Sequence, residues 1–523
     1  MNKDRSIKKL LTHILKSSLC NISYESKCLC NETDSKNKCY LIQNSNILLD
    51  EIPIELQNLK YGIYPNDCTY NDNRFIYNKL YNYYPHAIFY PNNIKDVSYL
   101  IKNFVDYNLD FAIQCGGHSY EPASLSYGYI INVTKLPSYV NVDKDKMIAK
   151  VSSGIKLGYL IDSLSKRSVI TPTGESSCVG ISGLSLAGGK GNLSRLYGMV
   201  CDNIVSAKII NYKGEIITVN KKENPDLFWA VKGAGSCNFG VIIEIELKIY
   251  DDIYCQFETL QWTWNYDSVF IIFKKYQDWI LTIPKKISAE FNITYNNGIA
   301  TFSIKFIKFS NKSFLEIDEF RKLFSPTITS CKGYYSKITD CWVSYDTGNS
   351  NIFSKMKSTM IFKPLSNEGI SIFIESIDKL LITAYNLNYQ LNFSQLGGEV
   401  VKGDSCYYPK EAIIVLSIFI NWSDNILDEY SINFVTNVYN EIKEYTSEYC
   451  FPNFIDYDIE DYMNSYYGDN SNKLIEIKKK YDPNNIFRYK QSIPINLLNF
   501  KFINFDIILK KRKNRLIFFR RNG

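Results

Sequence analysis

Histidine is almost absent from this 523-residue chain, which contains only His13, His86 and His118. A metal site built from three histidine ligands would need all of them, across a separation of about a hundred residues. We therefore expect no metal site. Long apolar runs are also missing, because none approaches the ~18 residues that a membrane-spanning helix needs. The sequence predicts no transmembrane helix.

No C-x-x-C pair occurs among the 14 cysteines. A cluster near the start has spacing unsuited to zinc, which leaves disulfides and reduced thiols both open; it comprises Cys20, Cys28, Cys30 and Cys39. The apolar stretch at residues 10–19 is interrupted by His13 and Lys16 and preceded by Lys8 and Lys9. We find no convincing signal peptide, and the compartment stays open.

The net charge of +6 is concentrated at the C-terminal end. Residues 501–523 contain eight basic residues and one acidic residue, which leaves the other 500 residues close to neutral. A nearly neutral body gives no sign of a specific nucleic-acid partner. We expect the tail either to contact an acidic surface peripherally or to remain a solvated extension.

Periodic segments begin after a polar leader at residues 1–50. Apolar residues at helical spacing predict an amphipathic helix after Pro91, and a strand at Phe111–Gln114 follows it. A second helix is predicted around residues 157–164, a hairpin at 204–219, an alternating strand at 243–249 and a last helix at 470–480. Between residues 251 and 449 we expect several strands and two or three helices, without glycine-rich loops.

Three glycine clusters lie at residues 116–117, 188–191 and 233–240. The second lacks the Gly and Ser/Thr positions of a P-loop, and it is not G-x-G-x-x-G, so nucleotide triphosphatases and nicotinamide enzymes are excluded. Each cluster alone is explained by tight turns. Together they favour a dinucleotide that is held by main-chain N–H groups.

Four motifs carry a specific resemblance. They are the run Gly116-Gly-His-Ser-Tyr120; the run Gly188-Gly-Lys-Gly-Asn-Leu-Ser-Arg-Leu-Tyr-Gly198; the segment from Asn224-Pro-Asp-Leu-Phe-Trp to Val241; and Tyr466-Tyr-Gly468 with Tyr481-Asp-Pro-Asn-Asn-Ile-Phe-Arg488. In this order the chain resembles the berberine-bridge-enzyme-like FAD-linked oxidases, of the vanillyl-alcohol-oxidase type. The resemblance covers residues 75–494.

The resemblance implies an α+β, two-domain FAD-linked oxidase fold. An FAD-binding domain at 51–250 would be completed by a returning segment at 450–495, a substrate domain with an antiparallel sheet would occupy 251–449, and 496–523 would form the basic tail. FAD would attach covalently to His118. The other cofactor-binding residues implied are Gly116, Gly117, Ser119, Val179, Gly180, Gly183, Gly188, Gly189, Gly191, Val241 and Asn453.

Two departures from the family concern the flavin. The cysteine that often makes a second flavin bond is replaced by Ser176, and Cys178 lies two residues later. Serine cannot form the thioether, so we expect attachment through His118 only. Val179 stands where a small or β-branched residue admits oxygen in the family, which favours an oxidase; a core valine explains it equally well.

Two further departures concern proton transfer. Phe454 replaces the family's acid/base tyrosine, and Ser417 stands where a Gln or Glu often lies over the flavin ring. The remaining candidates are Tyr120, which matches a family active-site tyrosine, and Lys190, which replaces an aromatic residue. Lys190 could act as a base or hold a negative charge near flavin or substrate, or it could simply point to solvent.

The sequence thus predicts an FAD-dependent oxidase that takes a hydride from an alcohol or carbohydrate-type small molecule, passes the electrons to O2 and releases H2O2. One alternative is a catalytically degenerate FAD-binding structural or surface protein, which Phe454 and Ser417 suggest. Another is a dehydrogenase that uses a different electron acceptor.

Overall fold

The computed structural model describes residues 52–296, 298–345, 352–383 and 387–496. The predicted leader and residues 497–523 of the predicted tail lie outside the described residues. Among the helices within these ranges, none has both the length and the apolar character that a membrane crossing requires.

Three small sheets are formed by the strands up to residue 251. In chain order these strands are β1 (Gly62–Ile63), β2 (Ala87–Phe89), β3 (Phe111–Gln114), β4 (Tyr129–Asn132), β5 (Val140–Asp143), β6 (Ile148–Ser152), β7 (Val169–Ile170), β8 (Ile204–Ile210), β9 (Ile216–Asn220), β10 (Val241–Lys248) and β11 (Tyr250–Asp251). The first sheet has the order β1-β2-β4-β3, with β2, β4 and β3 parallel. The second has the antiparallel order β5-β6-β10-β8-β9, and β7 pairs with β11.

The helices of this part cover the sheets or begin at the glycine-rich loops. They are α1 (Tyr70–Asn73), α2 (Ile94–Asp106), α3 (Leu157–Ser165), α4 (Ile181–Leu186), α5 (Ser194–Tyr197) and α6 (Pro225–Val231). Helix α2 begins because the Asn93 side chain accepts a hydrogen bond from Asp96 N, and its apolar stripe is buried. The predicted helices at α2 and α3, the strand β3 and the β8–β9 hairpin are confirmed.

A seven-stranded antiparallel sheet dominates the rest of the chain. Its strands are β12 (Tyr254–Thr263), β13 (Ile287–Asn296), β14 (Ile299–Lys308), β15 (Thr327–Tyr334), β16 (Phe353–Ile361), β17 (Asn388–Gln395) and β18 (Ile414–Trp422), in the order β15-β12-β14-β13-β17-β18-β16. The accompanying helices are α7 (Tyr266–Trp279), α8 (Asp318–Arg321), α9 (Asn367–Thr383) and α10 (Asp428–Ile442). Sheets and helices together confirm the predicted α+β class.

The two faces of this sheet differ in polarity. Along β13, Ile287, Phe291 and Ile293 are buried in a core that also contains residues of α7, α9 and α10. Glu290 and Asn292 alternate with them and lie on the opposite face. The sheet therefore has one apolar face against helices and one polar face.

The C-terminal segment packs back onto the first part of the chain. Its helices are α11 (Tyr462–Tyr467) and α12 (Ser471–Tyr481), and α12 confirms the helix predicted at 470–480. Leu474 and Ile475 share a core cluster with Leu227 of α6. The domain boundaries at 250 and 450 remain a prediction.

One disulfide, Cys331–Cys341, joins β15 to a short turn ten residues later. Eight further cysteines within the described ranges are reduced. The cluster at residues 20–39 lies outside the described residues.

Candidate active site

The loop after β3, which carries His118, lies directly against the loop that precedes α4. A Cβ on Gly116 would clash with the main-chain nitrogen of Gly180, and a Cβ on Gly180 would clash with Cys115 Sγ. Gly117 has a positive φ of 65°. Because only glycine permits this approach, two lengths of main chain meet here without intervening side chains.

His118 is held from one side by Tyr77. The two rings are stacked with centroids 4.7 Å apart, and Tyr77 N donates to Gly117 O at 2.9 Å. His118 and Ser119 are both half-buried. The ring of the predicted attachment residue therefore has a defined orientation within a partly accessible loop.

The second glycine loop is tied to the C-terminal segment by Asn453. Gly189 N donates to Asn453 Oδ1 at 2.8 Å, and Asn453 Nδ2 donates to Leu184 O at 3.0 Å. Gly188 and Gly189 both have positive φ, which lets the loop turn towards this side chain. Asn453 therefore lies at the glycine loop, where the sequence predicted a cofactor contact.

Tyr120 lies between the sheet and the C-terminal segment. Its ring packs edge-on against Phe419 of β18 at 5.2 Å and against Phe454 at 6.2 Å. Ser417 is two residues before Phe419, on the same face of the strand, and is 4% exposed. Tyr120, Phe454 and the face that bears Ser417 thus form one neighbourhood.

Lys190 reaches the polar face of the sheet at another point. Its Nζ lies 3.5 Å from Glu290 Oε2, and the side chain is only 15% exposed. Nearby, Lys305 of β14 is 2.8 Å from Glu175. Lys190 therefore does not point to solvent, and the two lysines each face a carboxylate.

The charges in this group act on one another. Burial raises the pKa of Glu290, but Lys190 and Lys305 outweigh it and hold the pKa below its ordinary value. Burial lowers the pKa of Lys305, but Glu175 and Glu290 outweigh it and hold the pKa above its ordinary value. At neutral pH Glu290 is therefore ionised and Lys305 is protonated.

Three other predicted residues lie further from the contacts described above. Val179 is half-buried against a core cluster, and its carbonyl accepts from Leu157 N at 2.9 Å. Gly183 lies within α4, and Val241, the first residue of β10, has a fully buried side chain. A cofactor contact by Val241 would have to come from its main chain.

Sequence reasoning missed Glu290 and Lys305, because no motif surrounds them. The signal that could have found Glu290 is the strict alternation of apolar and polar residues in Ile287–Asn296, which places its polar residues on a non-core face. The partner, Lys190, is a hundred residues away and could not be assigned.

The glycine loops fit a dinucleotide. Backbone approaches backbone where a Cβ would clash, and two buried hydroxyl groups beside these loops have no hydrogen-bond partner among the described residues, Ser153 Oγ and Thr173 Oγ1. Thr173 adjoins the second loop, since a Cβ on Gly191 would clash with Thr173 O. Buried hydroxyl groups of this kind suit the phosphates and ribityl hydroxyls of FAD.

Two family models match the chain. One, described as an FAD binding domain, matches residues 85–220, and the other, described as berberine and berberine like, matches residues 450–494. A relative from Bacillus subtilis (strain 168), the uncharacterized FAD-linked oxidoreductase YgaK, is 28% identical over 451 residues, covering 82% of this chain and 95% of the relative.

Solved structures that share the fold include the following two. BBE-like 1 of Physcomitrella patens superposes with a TM-score of 0.76 at 24% identity, covering 83% of this chain and 97% of that chain. Glucooligosaccharide oxidase from Acremonium strictum, whose FAD is described as 6-S-cysteinyl, 8α-N1-histidyl, superposes with a TM-score of 0.75 at 20% identity, covering 83% and 96%.

Replacing Asn453 tests the link between the C-terminal segment and the glycine loop. Asn453→Ala removes both hydrogen bonds, each worth about 1 kcal/mol, so we expect FAD affinity to fall several-fold. Flavin content after dialysis measures this effect in a His118→Ala background, in which non-covalent contacts alone hold the flavin. Asn472→Ala, at an exposed position of α12, is the matched control and should retain the flavin content of the His118→Ala parent. Equal flavin content in both variants would contradict the role given to Asn453.

Proposed function

We propose that this chain is an oxidase of an alcohol or carbohydrate-type small molecule. It belongs to the berberine-bridge-enzyme-like family of FAD-linked oxidoreductases. The observation that carries this proposal is the convergence of the His118 loop, the Gly188–Gly191 loop and Asn453 beside the polar face of a seven-stranded sheet. Loops that fit a flavin thus lie next to a face that can bind a polar substrate.

FAD, when bound, would supply the hydride acceptor for the substrate C–H and a two-electron route to O2, which would leave as H2O2. The residues of this chain have to hold the donor carbon in position and accept the hydroxyl proton. Carbohydrate oxidation by a relative of the same fold, glucooligosaccharide oxidase, supports the substrate class.

Single attachment through His118 is supported by the way the 175–178 loop is held. Ser177 N donates to Ser344 O at 2.9 Å, and Ser344 N donates to Glu175 O at 2.7 Å. Gly158 N also donates to Ser177 O at 2.9 Å. Cys178 could replace the missing cysteine at position 176 only if this pinned loop were remodelled.

Tyr120 is the better candidate for the proton acceptor. It contacts Phe454, which stands where the family has its acid/base tyrosine, whereas Lys190 is already paired with Glu290. We therefore assign proton transfer to Tyr120 and charge stabilisation to Lys190.

The attachment is tested by mass spectrometry of the flavin peptide. We expect the flavin to remain with the acid-precipitated chain, His118→Ala to release it, and Cys178→Ala to leave it bound. His86→Gln, which alters a histidine in another part of the fold, is the matched control. A flavin found on Cys178 would overturn the single attachment.

The oxidase activity is tested in two half-reactions. A panel of mono- and disaccharides, aliphatic alcohols and aryl alcohols is mixed anaerobically with the holoenzyme, and the loss of oxidised-flavin absorbance is followed. Air is then admitted and H2O2 is measured. We expect at least one panel member to reduce the flavin, and Val179→Leu to slow only the reoxidation, because a larger side chain would narrow an oxygen path.

Each negative result identifies an alternative. No reduction by any compound, with rapid reoxidation after dithionite, would favour the degenerate FAD-binding protein that Phe454 and Ser417 suggest. Reduction without peroxide would favour a dehydrogenase. Val140→Leu on β5 is the control for a general effect of adding a methylene group, and it should change neither half-reaction.

The proton acceptor is tested by comparing two variants. We expect Tyr120→Phe to slow substrate-driven flavin reduction by roughly 10²- to 10⁴-fold, because the acceptor is lost. Lys190→Met should have a smaller effect. Tyr127→Phe, at an exposed position, is the matched control. If Lys190→Met has the larger effect and shifts the pH profile of flavin reduction, Lys190 is the proton acceptor and the assignment of that role to Tyr120 is wrong.

A further inference from the structure

A cluster of buried charges lies on the edge strand β16, outside the residues assigned above. Lys355 Nζ is 2.7 Å from Glu121 Oε1 and 2.8 Å from Asp456 Oδ1. Lys357 Nζ is 2.8 Å from Asp456 Oδ2 and 2.7 Å from Asp458 Oδ2. Both lysines, Glu121 and Asp456 are at least nine-tenths buried. We call these five residues the β16 charge cluster.

The cluster joins three segments that are far apart in sequence. Glu121 belongs to the His118 loop, the lysines to the sheet, and Asp456 and Asp458 to the C-terminal segment. Glu121 and Asp456, two of the partners of Lys355, are 234 and 101 residues away from it. Burial of charges is expensive unless the charges are paired, so these ion pairs favour the observed arrangement of the three segments.

Tyr120 is attached to this cluster on both sides. Its neighbour Glu121 is paired with Lys355, and Asp456, which Lys355 also contacts, is two residues after the Phe454 against which the Tyr120 ring packs. The position of the Tyr120 ring and the position of Glu121 therefore both depend on the ammonium group of Lys355.

A main-chain clamp reinforces the arrangement. The fully buried Asn78 donates through Nδ2 to Tyr120 O at 2.7 Å and to Ser354 O at 2.8 Å. Its Oδ1 accepts from Ser354 N at 2.9 Å. Ser354 precedes Lys355, so the main chain of Tyr120 is held to β16 directly beside the charge cluster.

We propose that the β16 charge cluster positions Tyr120 over the polar face of the sheet, with Lys355 as the principal positioning residue. This inference rests on the proposed function for its catalytic readout. Lys355 touches neither substrate nor flavin in this assignment and acts only through Tyr120. Burial raises the pKa of Glu121, and the Lys355 ammonium group opposes that rise.

The test uses the FAD-loaded full chain and three variants: Lys355→Met, Tyr120→Phe and the double variant. We expect Lys355→Met to slow flavin reduction at saturating substrate by roughly 10- to 100-fold, because small displacements of a reacting group have effects of this size. In the Tyr120→Phe background the same substitution should have little further effect, because its target is already lost. An equal loss in both backgrounds would overturn the proposal.

A second readout does not need a substrate. The visible circular dichroism of the bound flavin reports its surroundings, and we expect Lys355→Met to change it, because the aromatic ring at position 120 would be displaced. If no compound reduces the flavin of the wild type, the proposed function fails while this readout still decides the positioning role. An unchanged spectrum in Lys355→Met would overturn that role.

Two more variants control for folding. Lys308→Met alters another lysine of the same sheet, which is paired with Glu316 at 2.6 Å away from Tyr120, and it should leave flavin reduction and the visible spectrum unchanged. If Lys355→Met does not fold, Glu121→Gln replaces it, since the amide keeps the shape and loses the charge. It should show the same dependence on Tyr120, and the absence of that dependence would overturn the proposal.

Discussion

The seven-stranded sheet has to present an apolar face to the helices α7, α9 and α10 and a polar face to the glycine loops at the same time. Side chains alternate along each strand, so the register that buries Phe291 also places Glu290 opposite Lys190. A slip of one residue would exchange the two faces and bury the carboxylate in the core. Core packing therefore determines the geometry of the candidate site.

The polar face of the sheet forms one wall of the candidate site, and main chain of the glycine loops forms the other. Gly116 and Gly180 meet where any side chain would clash, and Asn453 fixes the second glycine loop through hydrogen bonds to main-chain groups. This wall is therefore formed by the close approach of main chain to main chain. Lys190, Lys305 and Lys355 are each paired with a carboxylate, so these ion pairs hold the surrounding segments together.

The sequence was most informative where structure depends on neighbouring residues. The helix α2 followed from local apolar spacing, β3 was predicted with its observed ends, and the His118 loop was recognised from contiguous residues. The contacts that assemble the site could not be predicted in the same way. Lys190 was singled out as a departure, but Glu290 could be identified only once β13 was placed, and Lys355 has partners on two distant segments. Val241, which the resemblance implies as a cofactor contact, has a side chain buried in the core because β10 begins there, and this arrangement could not be predicted from the motif.

The Cys331–Cys341 disulfide ties the edge strand β15 to a turn that ends three residues before Ser344. Between them, Trp342 and Val343 pack into the cluster that contains Leu193. Ser344 in turn holds the 175–177 loop through two main-chain hydrogen bonds. A reducing medium would therefore remove the covalent end of the segment that holds the 175–177 loop. Preparations made under reducing and oxidising conditions are two different starting materials for any comparison of rates.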